Sequence, residues 1–333
     1  MRQAAQERID LDQCLLAGEA LPDVEALDGE HWFPLETTIE QDMIPYWGGD
    51  WGCASEVRRL RAVLLYRPGP EIERFQYETA RFRAPIDPEK FRAQHDALAD
   101  YYRDHGVAVY YVEQGRSDRP NAVFCRDKLF MTPEGAIITR LSMAGRRGEE
   151  RFVAESCARL GIPIVKTIAG DGIFEGTGAM WVDRHTVILS LGVRANRSGY
   201  EQMETELRRQ GVTDILPMQI PYGHTNIDGL LNLAGEDTVV IHACQVPYEV
   251  VDALRRKGYR ILEIPSFTEA RYGFATNFVA LEPGHVVMGN QAPRTAELLE
   301  KSGIRVDVLD LSELGKGDGS VHSITAFLKR DAE

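Results

Sequence analysis

The chain has 333 residues, of which 44% are hydrophobic and 27% are charged, which is the ordinary composition of a folded globular protein. Lys and Arg number 38 against 51 Asp and Glu, so the formal net charge is −13. This excess of acidic residues disfavours nucleic acid and anionic membranes as partners and favours a cationic small molecule. The length suits about two domains of typical size, or one larger α/β barrel or propeller.

Five cysteines are scattered along the chain without a CxxC pair or a Cys/His group at zinc spacing: Cys14, Cys53, Cys125, Cys157 and Cys244. This pattern predicts neither a disulfide framework nor a metal site, and it fits a reducing compartment. The first residues are charged where a signal peptide is apolar, and no segment approaches the roughly 18 apolar residues of a membrane span. We therefore predict a cytoplasmic protein without a metal or another cofactor.

Residues 1–55 contain many acidic and aromatic residues but show little periodicity, which predicts an irregular N-terminal extension. Its aromatic residues include His31, Trp32, Phe33, Tyr46, Trp47 and Trp51. Residues 56–333 are predicted to form a single domain. The role of the extension is not evident from its residues.

From Arg61 onward the chain repeats a ββαβ unit, which consists of two strands, a helix and a closing strand. The closing strands are predicted at 107–112, 162–168, 213–220, 259–265 and 305–311, and the helices at about 88–105, 147–160, 197–210, 247–257 and 293–303. Five similar units predict a closed ring, in which each unit buries its apolar face against its neighbours. The alternative is a doubly wound sheet, which lacks the extra strand before each helix.

Six segments occur in the order in which they are found in the guanidine-modifying pentein enzymes. They are PNAVFCRD (120–127), IFEGTGAMW (173–181), VRANRSG (193–199), GHTNIDGLLNL (223–233), NFVALEPGHVVM (277–288) and GKGDGSVHSIT (315–325). Residues 56–328 therefore resemble arginine deiminases, dimethylargininases and amidinotransferases. The resemblance implies an α/β fold, a five-bladed α/β propeller with its active site in the central channel, which agrees with the repeat count.

A guanidinium ion is planar, and carboxylates that pair with its N–H groups bind and orient it. Asp127 and Asp228 stand where the resemblance implies the guanidinium-binding carboxylates. Taken alone, Asp127 is a turn residue at the end of a strand and Asp228 is a surface acid. The order of the motifs favours the site for both.

Further side chains in the matched segments are assigned roles by the same resemblance. Glu175 resembles the acid that orients a catalytic histidine, although Gly178 replaces an acid that is common in the family. Arg194 and Asn196 resemble a pair whose arginine holds the α-carboxylate of the substrate. The alternative for Arg194 is a surface ion pair worth about 0–1 kcal/mol.

The catalytic positions depart from the family pattern. The family attacks the guanidine carbon with a cysteine thiolate, whereas the corresponding residue here is Ser323. Asn226 occupies the position of the histidine that acts as general acid and base, and an amide does not carry a proton in this range. His224 is two residues earlier and would share a face with Asn226 on a regular strand.

Five more residues are candidates for a role in the reaction or in the core. His322 is next to Ser323, and on a strand its side chain would point the other way. Cys125 is the only thiol that we consider as a relocated nucleophile, although a buried and inert cysteine is favoured, and Arg126 beside it is a candidate substrate-binding residue. Asn277 is either an amide that faces the channel or a turn residue. Cys244 is predicted to lie in a core strand.

Three explanations fit this set of residues. The chain is a Cys-to-Ser variant of an active enzyme, an enzyme in which Ser323 acts with His224 or His322 as the base, or a binder that kept the pocket. We predict that it binds arginine or an arginine-derived guanidine compound and, if active, cleaves a C–N bond at the guanidine carbon by hydrolysis. Amidino transfer and binding without catalysis are the alternatives, and a homodimer is one option for its assembly.

Overall fold

The computed structural model describes residues 37–332, which fall into two units with their boundary between Asp50 and Trp51. Most of the predicted extension, with His31, Trp32, Phe33 and Cys14, lies outside the described residues. Its boundary at residue 55 stays a prediction. Over residues 37–332, no helix is long and apolar enough to cross a membrane.

The described part of the first unit contains one helix, α1 (Ile39–Trp47). It begins with a capping box, because Oγ1 of Thr38 accepts from the backbone of Gln41 at 3.3 Å and the Gln41 side chain accepts from the backbone of Thr38 at 2.8 Å. It ends at Gly48, whose φ of 78° lies in the left-handed region that glycine adopts without strain.

The second unit consists of five separate sheets of three strands each, which we call blades 1 to 5. Blade 1 contains β15 (Ala326–Arg330), β1 (Leu60–Leu65) and β2 (Ala108–Tyr111); blade 2 contains β3 (Leu129–Thr132), β4 (Gly135–Ile138) and β5 (Ile164–Thr167); blade 3 contains β6 (Ala179–Asp183), β7 (Thr186–Leu191) and β8 (Asp214–Gln219). Blade 4 contains β9 (Leu231–Gly235), β10 (Thr238–Ile241) and β11 (Arg260–Glu263), and blade 5 contains β12 (Val279–Glu282), β13 (His285–Gly289) and β14 (Arg305–Leu309). The doubly wound alternative is therefore wrong, because the strands form five sheets rather than one.

Every blade has the same topology, in which the middle strand pairs antiparallel with one neighbour and parallel with the other. The parallel neighbour is reached through a helix, as parallel pairing requires. The helices are α2 (Pro88–Asp104), α3 (Glu150–Arg159), α4 (Arg197–Arg209), α5 (Tyr248–Arg256), α6 (Phe267–Tyr272), α7 (Pro293–Lys301) and α8 (Val321–Ile324). The predicted ββαβ repeat and its five helices are confirmed, with ends that differ by at most a few residues.

The middle strands carry the core. β7 and β10 are buried along nearly their whole length, whereas the closing strand β5 is only partly covered. The middle strands are covered on both faces, and this explains why their sequences are continuous apolar runs.

The ring is closed by the two ends of the second unit. β15 pairs antiparallel with β1, so a strand from the end of the chain completes blade 1. Gly52 fastens the same place, because its N–H donates to the carbonyl of Leu328 at 2.9 Å and its carbonyl accepts from Arg330 at 3.1 Å. Its φ is 126°, and a Cβ there would lie 2.9 Å from the carbonyl oxygen of Pro133, so this position requires glycine.

Candidate active site

Short turns precede one outer strand of each blade, and their side chains meet. The turns Arg126–Lys128, Gly176–Gly178 and Ile227–Gly229 are single 3₁₀ turns, Asn277 precedes β12, and the helix α8 precedes β15. Together they border a cavity of about 490 Å³. Seven of the predicted site residues line this cavity: Asp127, Glu175, Arg194, His224, Asn226, Asp228 and Ser323. Three do not: Arg126, Asn196 and His322.

Ser323 lies beside the carboxylate of Asp228. Its hydroxyl donates to Oδ2 of Asp228 at 2.9 Å and accepts from Nδ2 of Asn277, also at 2.9 Å. The same amide nitrogen donates to Oδ2 of Asp228 at 2.8 Å. The three side chains therefore form a closed triangle of hydrogen bonds in which one oxygen of Asp228 is fully engaged.

Asn277 also shapes the backbone around Ser323. Its Oδ1 accepts from the backbone N–H groups of Ser320, His322 and Ser323 at 3.1, 3.1 and 3.2 Å. These donors lie at the start of α8 and have no partner within a helix. The sequence left the channel-facing and turn assignments of Asn277 equally open, and its side chain borders the cavity.

His322 does not point away from this group, because the segment that carries it is not a strand. Residues 321–324 form the helix α8, so the His322 ring is buried between two carboxylates. Its Nδ1 donates to Oδ2 of Asp228 at 3.1 Å and its Nε2 donates to Oε1 of Glu56 at 2.7 Å. Burial and Arg126 lower the pKa of His322, but the hydrogen bonds to Asp228 and Glu56 outweigh them and raise it above its usual value.

Glu56 is a buried acid that the sequence did not reveal. Nη2 of Arg126 donates to its two oxygens at 3.3 and 3.2 Å, and the Arg126 guanidinium stacks on the Phe327 ring at 4.1 Å. Arg126 is not among the residues that line the cavity, and its assignment to substrate binding stays a prediction. Arg126 donates hydrogen bonds to Glu56, Glu56 accepts one from His322, and His322 donates another to Asp228.

Glu56 should contribute strongly to the loss of folding stability at acid pH. Burial alone would raise its pKa, but Arg126 and His322 outweigh burial and lower it to about 2 from 4.5. A depressed carboxyl pKa stabilises the fold above pH 4.5, and that stabilisation is lost as the pH falls toward 2. We expect Glu56→Gln to lower the free energy of unfolding at pH 7 by about 3 kcal/mol, with the difference from the parent shrinking below pH 4.

Urea denaturation at pH 7, 4 and 3 measures this difference. Glu297→Gln is the control, because Glu297 is exposed and forms an exposed ion pair with Lys301, and it should leave the unfolding curves unchanged. The change with pH is read between pH 4 and 3, because His322 acts in the opposite sense: its raised pKa stabilises the fold at low pH and that contribution is lost as the pH rises toward 7. An equal loss at all three pH values would contradict the expectation.

Asp127 is held on the other side of the cavity by two partners. Oδ2 accepts from Nη1 of Arg146 at 2.6 Å, and Oδ1 accepts from the hydroxyl of Thr177 at 2.6 Å. Burial would raise the pKa of Asp127, but the Arg146 guanidinium outweighs it and lowers the pKa. Arg146 also contacts Glu149 and was missed because no motif marks it. Both oxygens of Asp127 are thus engaged within the protein.

Glu175 and Arg194 form a pair at the wall of the cavity. Nη1 of Arg194 donates to the two oxygens of Glu175 at 3.0 and 3.2 Å, and Ser142 donates twice to Oε1 at about the same distance. Burial and the Asp127 charge raise the pKa of Glu175. Among the described residues no histidine forms a hydrogen bond with Glu175, and the assignment of Asn226 to the position of the catalytic histidine stays a prediction.

The segment before the third turn is not a strand, so His224 and Asn226 do not share a strand face. Residues 221–226 are irregular, and Asn226 begins the turn Ile227–Gly229. The rings of His224 and His242 are 5.7 Å apart, and burial together with Arg271 lowers the pKa of both. Oδ1 of Asn226 is buried and has no hydrogen-bond partner among the described residues.

Three other residues that the sequence singled out do not line the cavity. Asn196 caps helix α4, since its Oδ1 accepts from the backbone of Gly199 at 2.9 Å, so its role is local structure. Cys125 is buried outside the cavity, and burial raises the pKa of its thiol to about 11, which agrees with the favoured prediction of a buried and inert cysteine. Cys244 is exposed in a turn with φ 66° rather than buried in a core strand.

Comparison with known proteins identifies relatives that match most of the second unit. A model of the family described as N,N dimethylarginine dimethylhydrolase, eukaryotic, matches residues 69–330. The N(G),N(G)-dimethylarginine dimethylaminohydrolase of Streptomyces coelicolor is 26% identical over 270 residues, which cover 81% of this chain and 97% of the relative.

Two solved structures show the same fold. A cysteine-to-serine mutant of dimethylarginine dimethylaminohydrolase from Pseudomonas aeruginosa, complexed with citrulline, has a TM-score of 0.67 at 23% identity and covers 81% of this chain and 99% of its own. The N-terminal domain of a cyanobacterial arginine dihydrolase, a cysteine-to-serine mutant bound to substrate, has a TM-score of 0.69 at 17% identity and covers 81% and 98%. The predicted pentein propeller is confirmed by these likenesses together with the five blades.

Proposed function

Because the chain belongs to the N,N dimethylarginine dimethylhydrolase family, we propose that its cavity binds arginine or an arginine-derived guanidine compound and cleaves a guanidine C–N bond by hydrolysis. The relatives named above are hydrolases that act on arginine or methylated arginine. A cytoplasmic location and a homodimer stay predictions from the sequence.

The observation that carries the proposal is the state of Asp228. Its Oδ2 accepts from Asn277, Ser323 and His322, whereas no hydrogen bond from a described residue reaches its Oδ1. Asp228 is buried and borders the cavity, so this oxygen is a fixed anionic acceptor for a ligand N–H group. A guanidinium supplies such donors together with a positive charge.

The proposed pose follows from the residues around Asp228. The guanidinium lies on Asp228 with its carbon facing Oγ of Ser323. Asp127, fixed by Arg146 and Thr177, contributes negative charge on the opposite wall. Arg194 takes the α-carboxylate through the nitrogen that does not contact Glu175.

The proposed reaction begins when Oγ of Ser323 attacks the guanidine carbon and its hydroxyl proton passes to Oδ2 of Asp228. The C–N bond breaks as the amine leaves with that proton, which leaves the amidine carbon on Oγ. Water then adds to this carbon, releases the product and restores the serine hydroxyl. His322 and Asn277 keep Asp228 in position throughout.

Guanidine binding without turnover is the second candidate, and a specific observation favours it. None of the four described cysteines lines the cavity, and the Asn226 amide does not take up and release a proton near neutral pH. A serine hydroxyl is a weaker nucleophile than a thiolate and depends on its neighbouring base.

Mass spectrometry of products separates the two candidates. The protein is incubated with arginine, methylated arginines and agmatine, with and without glycine as an amidino acceptor, and Ser323→Ala serves as the matched control. A ureido product or a released amine that is absent with Ser323→Ala supports hydrolysis. Formation of amidinated glycine would show that the reaction is amidino transfer rather than hydrolysis. Saturable binding by calorimetry without any product supports the second candidate. Absence of both binding and product overturns the proposal.

A further inference from the structure

Three potential metal ligands meet on the outer side of the junction between blades 1 and 5, among residues that the site does not use. His105 follows the last residue of α2, His285 begins β13, and Asp307 lies in β14. Nε2 of His285 is 2.8 Å from Oδ2 of Asp307, and Nε2 of His105 is 3.6 Å from the same oxygen. The three ligand atoms all lie within 4.8 Å of one another.

The backbone explains why these side chains meet. In blade 5, β13 and β14 are parallel, with His285 opposite Arg305 and Val287 opposite Asp307. Side chains two residues apart on a strand share a face, so His285 and Asp307 point to the same side. The end of α2 then brings His105 against that face.

Hydrogen bonds orient two of the ligands. Nδ1 of His105 is 2.8 Å from the backbone carbonyl of Tyr101, and a carbonyl only accepts, so Nδ1 carries the proton and Nε2 keeps its lone pair. This is the arrangement in which histidines usually bind metals. The Tyr101 hydroxyl donates to Oδ2 of Asp307 at 2.6 Å and fixes the carboxylate.

We propose that His105, His285 and Asp307 bind one divalent transition metal ion of the zinc class. A tetrahedral zinc ion with bonds of about 2.0–2.1 Å separates its ligand atoms by roughly 3.3 Å, which lies between the two distances to Oδ2 of Asp307. Two imidazoles and one carboxylate favour zinc over calcium or magnesium, which prefer oxygen ligands. Water completes the fourth position, and the His285 proton moves from Nε2 to Nδ1.

Such an ion would join α2, whose strand β2 belongs to blade 1, to the middle strand β13 and the closing strand β14 of blade 5. This is the junction at which β15 closes the ring, so the metal would add a second fastening there. The sequence does not reveal this site, because its ligands are far apart along the chain and do not have the short spacing that is typical of zinc-binding motifs.

Arg305 gives the proposal a test with a defined sign. Its Nη2 lies 3.5 and 3.4 Å from the two oxygens of Asp307, and its side chain is largely exposed. A positive charge this close opposes metal binding, although solvent screens it. Arg305→Gln should therefore bind the metal about threefold more tightly than the parent chain.

The experiment is calorimetric titration of the full chain with zinc chloride, repeated with His105→Ala and His285→Ala. We expect one ion per chain, with at least tenfold weaker binding in both variants and a rise in melting temperature with zinc that both variants lose. His185→Ala is the matched control, because His185 is exposed and its ring lies 3.2 Å from the backbone carbonyl of Gly211 rather than beside another metal ligand. It should bind like the parent.

A second control addresses the other pair of histidines, His224 and His242. His242→Ala should leave the zinc affinity unchanged if the ion lies at the junction of blades 1 and 5. The proposal is overturned if the parent chain binds no zinc, if binding survives in His285→Ala, or if it is lost in His242→Ala.

Discussion

Replacing Asp228 by asparagine is expected to weaken the binding of a guanidinium compound by about 100-fold or more, which corresponds to about 2.7 kcal/mol. Asparagine keeps the shape of the side chain and one acceptor for its neighbours, but it removes the negative charge that the proposed ligand requires. The loss of one partner of a buried charge pair is costly, because the other charge remains in a site of low dielectric.

Calorimetry with arginine, a methylated arginine and citrulline measures this effect. Citrulline carries a neutral ureido group, so its affinity should change far less than that of the two cations. Asp252→Asn is the control, since Asp252 lies on helix α5 and its recorded ion pair is with Arg256. Equal losses for citrulline and arginine would show that the Asp228 charge does not select the cation.

The second large effect is a gain of activity. Ser323→Cys combined with Asn226→His should release product from arginine or a methylated arginine at least 100-fold faster than either single variant. The thiol of Ser323→Cys alone would face the Asp228 carboxylate, which raises its pKa and keeps it protonated. A histidine at position 226 borders the same cavity and supplies a group that accepts and returns a proton.

The assay is release of ammonia or amine under saturating substrate, with both single variants and the parent measured beside the double variant. Thermal unfolding checks that Asn226→His is accommodated, since Asn226 is buried. A double variant that releases product no faster than the two single variants would show that the cavity is not arranged for thiol chemistry at the guanidine carbon. That result would favour guanidine binding without turnover.

The repeat architecture was accessible from the sequence because it rests on local patterns. Apolar strands, amphipathic helices such as α2 and the turns between them each depend on residues close together in the chain. Pro88 and Asp87 even mark the start of α2, where Asp87 accepts from two backbone N–H groups. The order of the five units then predicted the ring.

The network behind Ser323 was inaccessible for the opposite reason. Helix α8 has four residues, and its first turn is held by Asn277 from another blade rather than by local capping. Glu56 reaches His322 across 266 positions of sequence, and no motif surrounds it. Asp228 and Ser323 were identified by resemblance, whereas the charges that hold them are visible only in three dimensions.

The convergence of the five turns has a consequence for assembly. Asp127, Thr177, Asp228, Asn277 and Ser323 each come from a different segment that leads into a different sheet. No fragment of the chain carries the complete pocket. Binding of a ligand in the cavity therefore requires that all five blades have assembled into the closed ring. A molecule bound there contacts segments that lead into all five blades. It therefore stabilises the whole ring against separation of the blades.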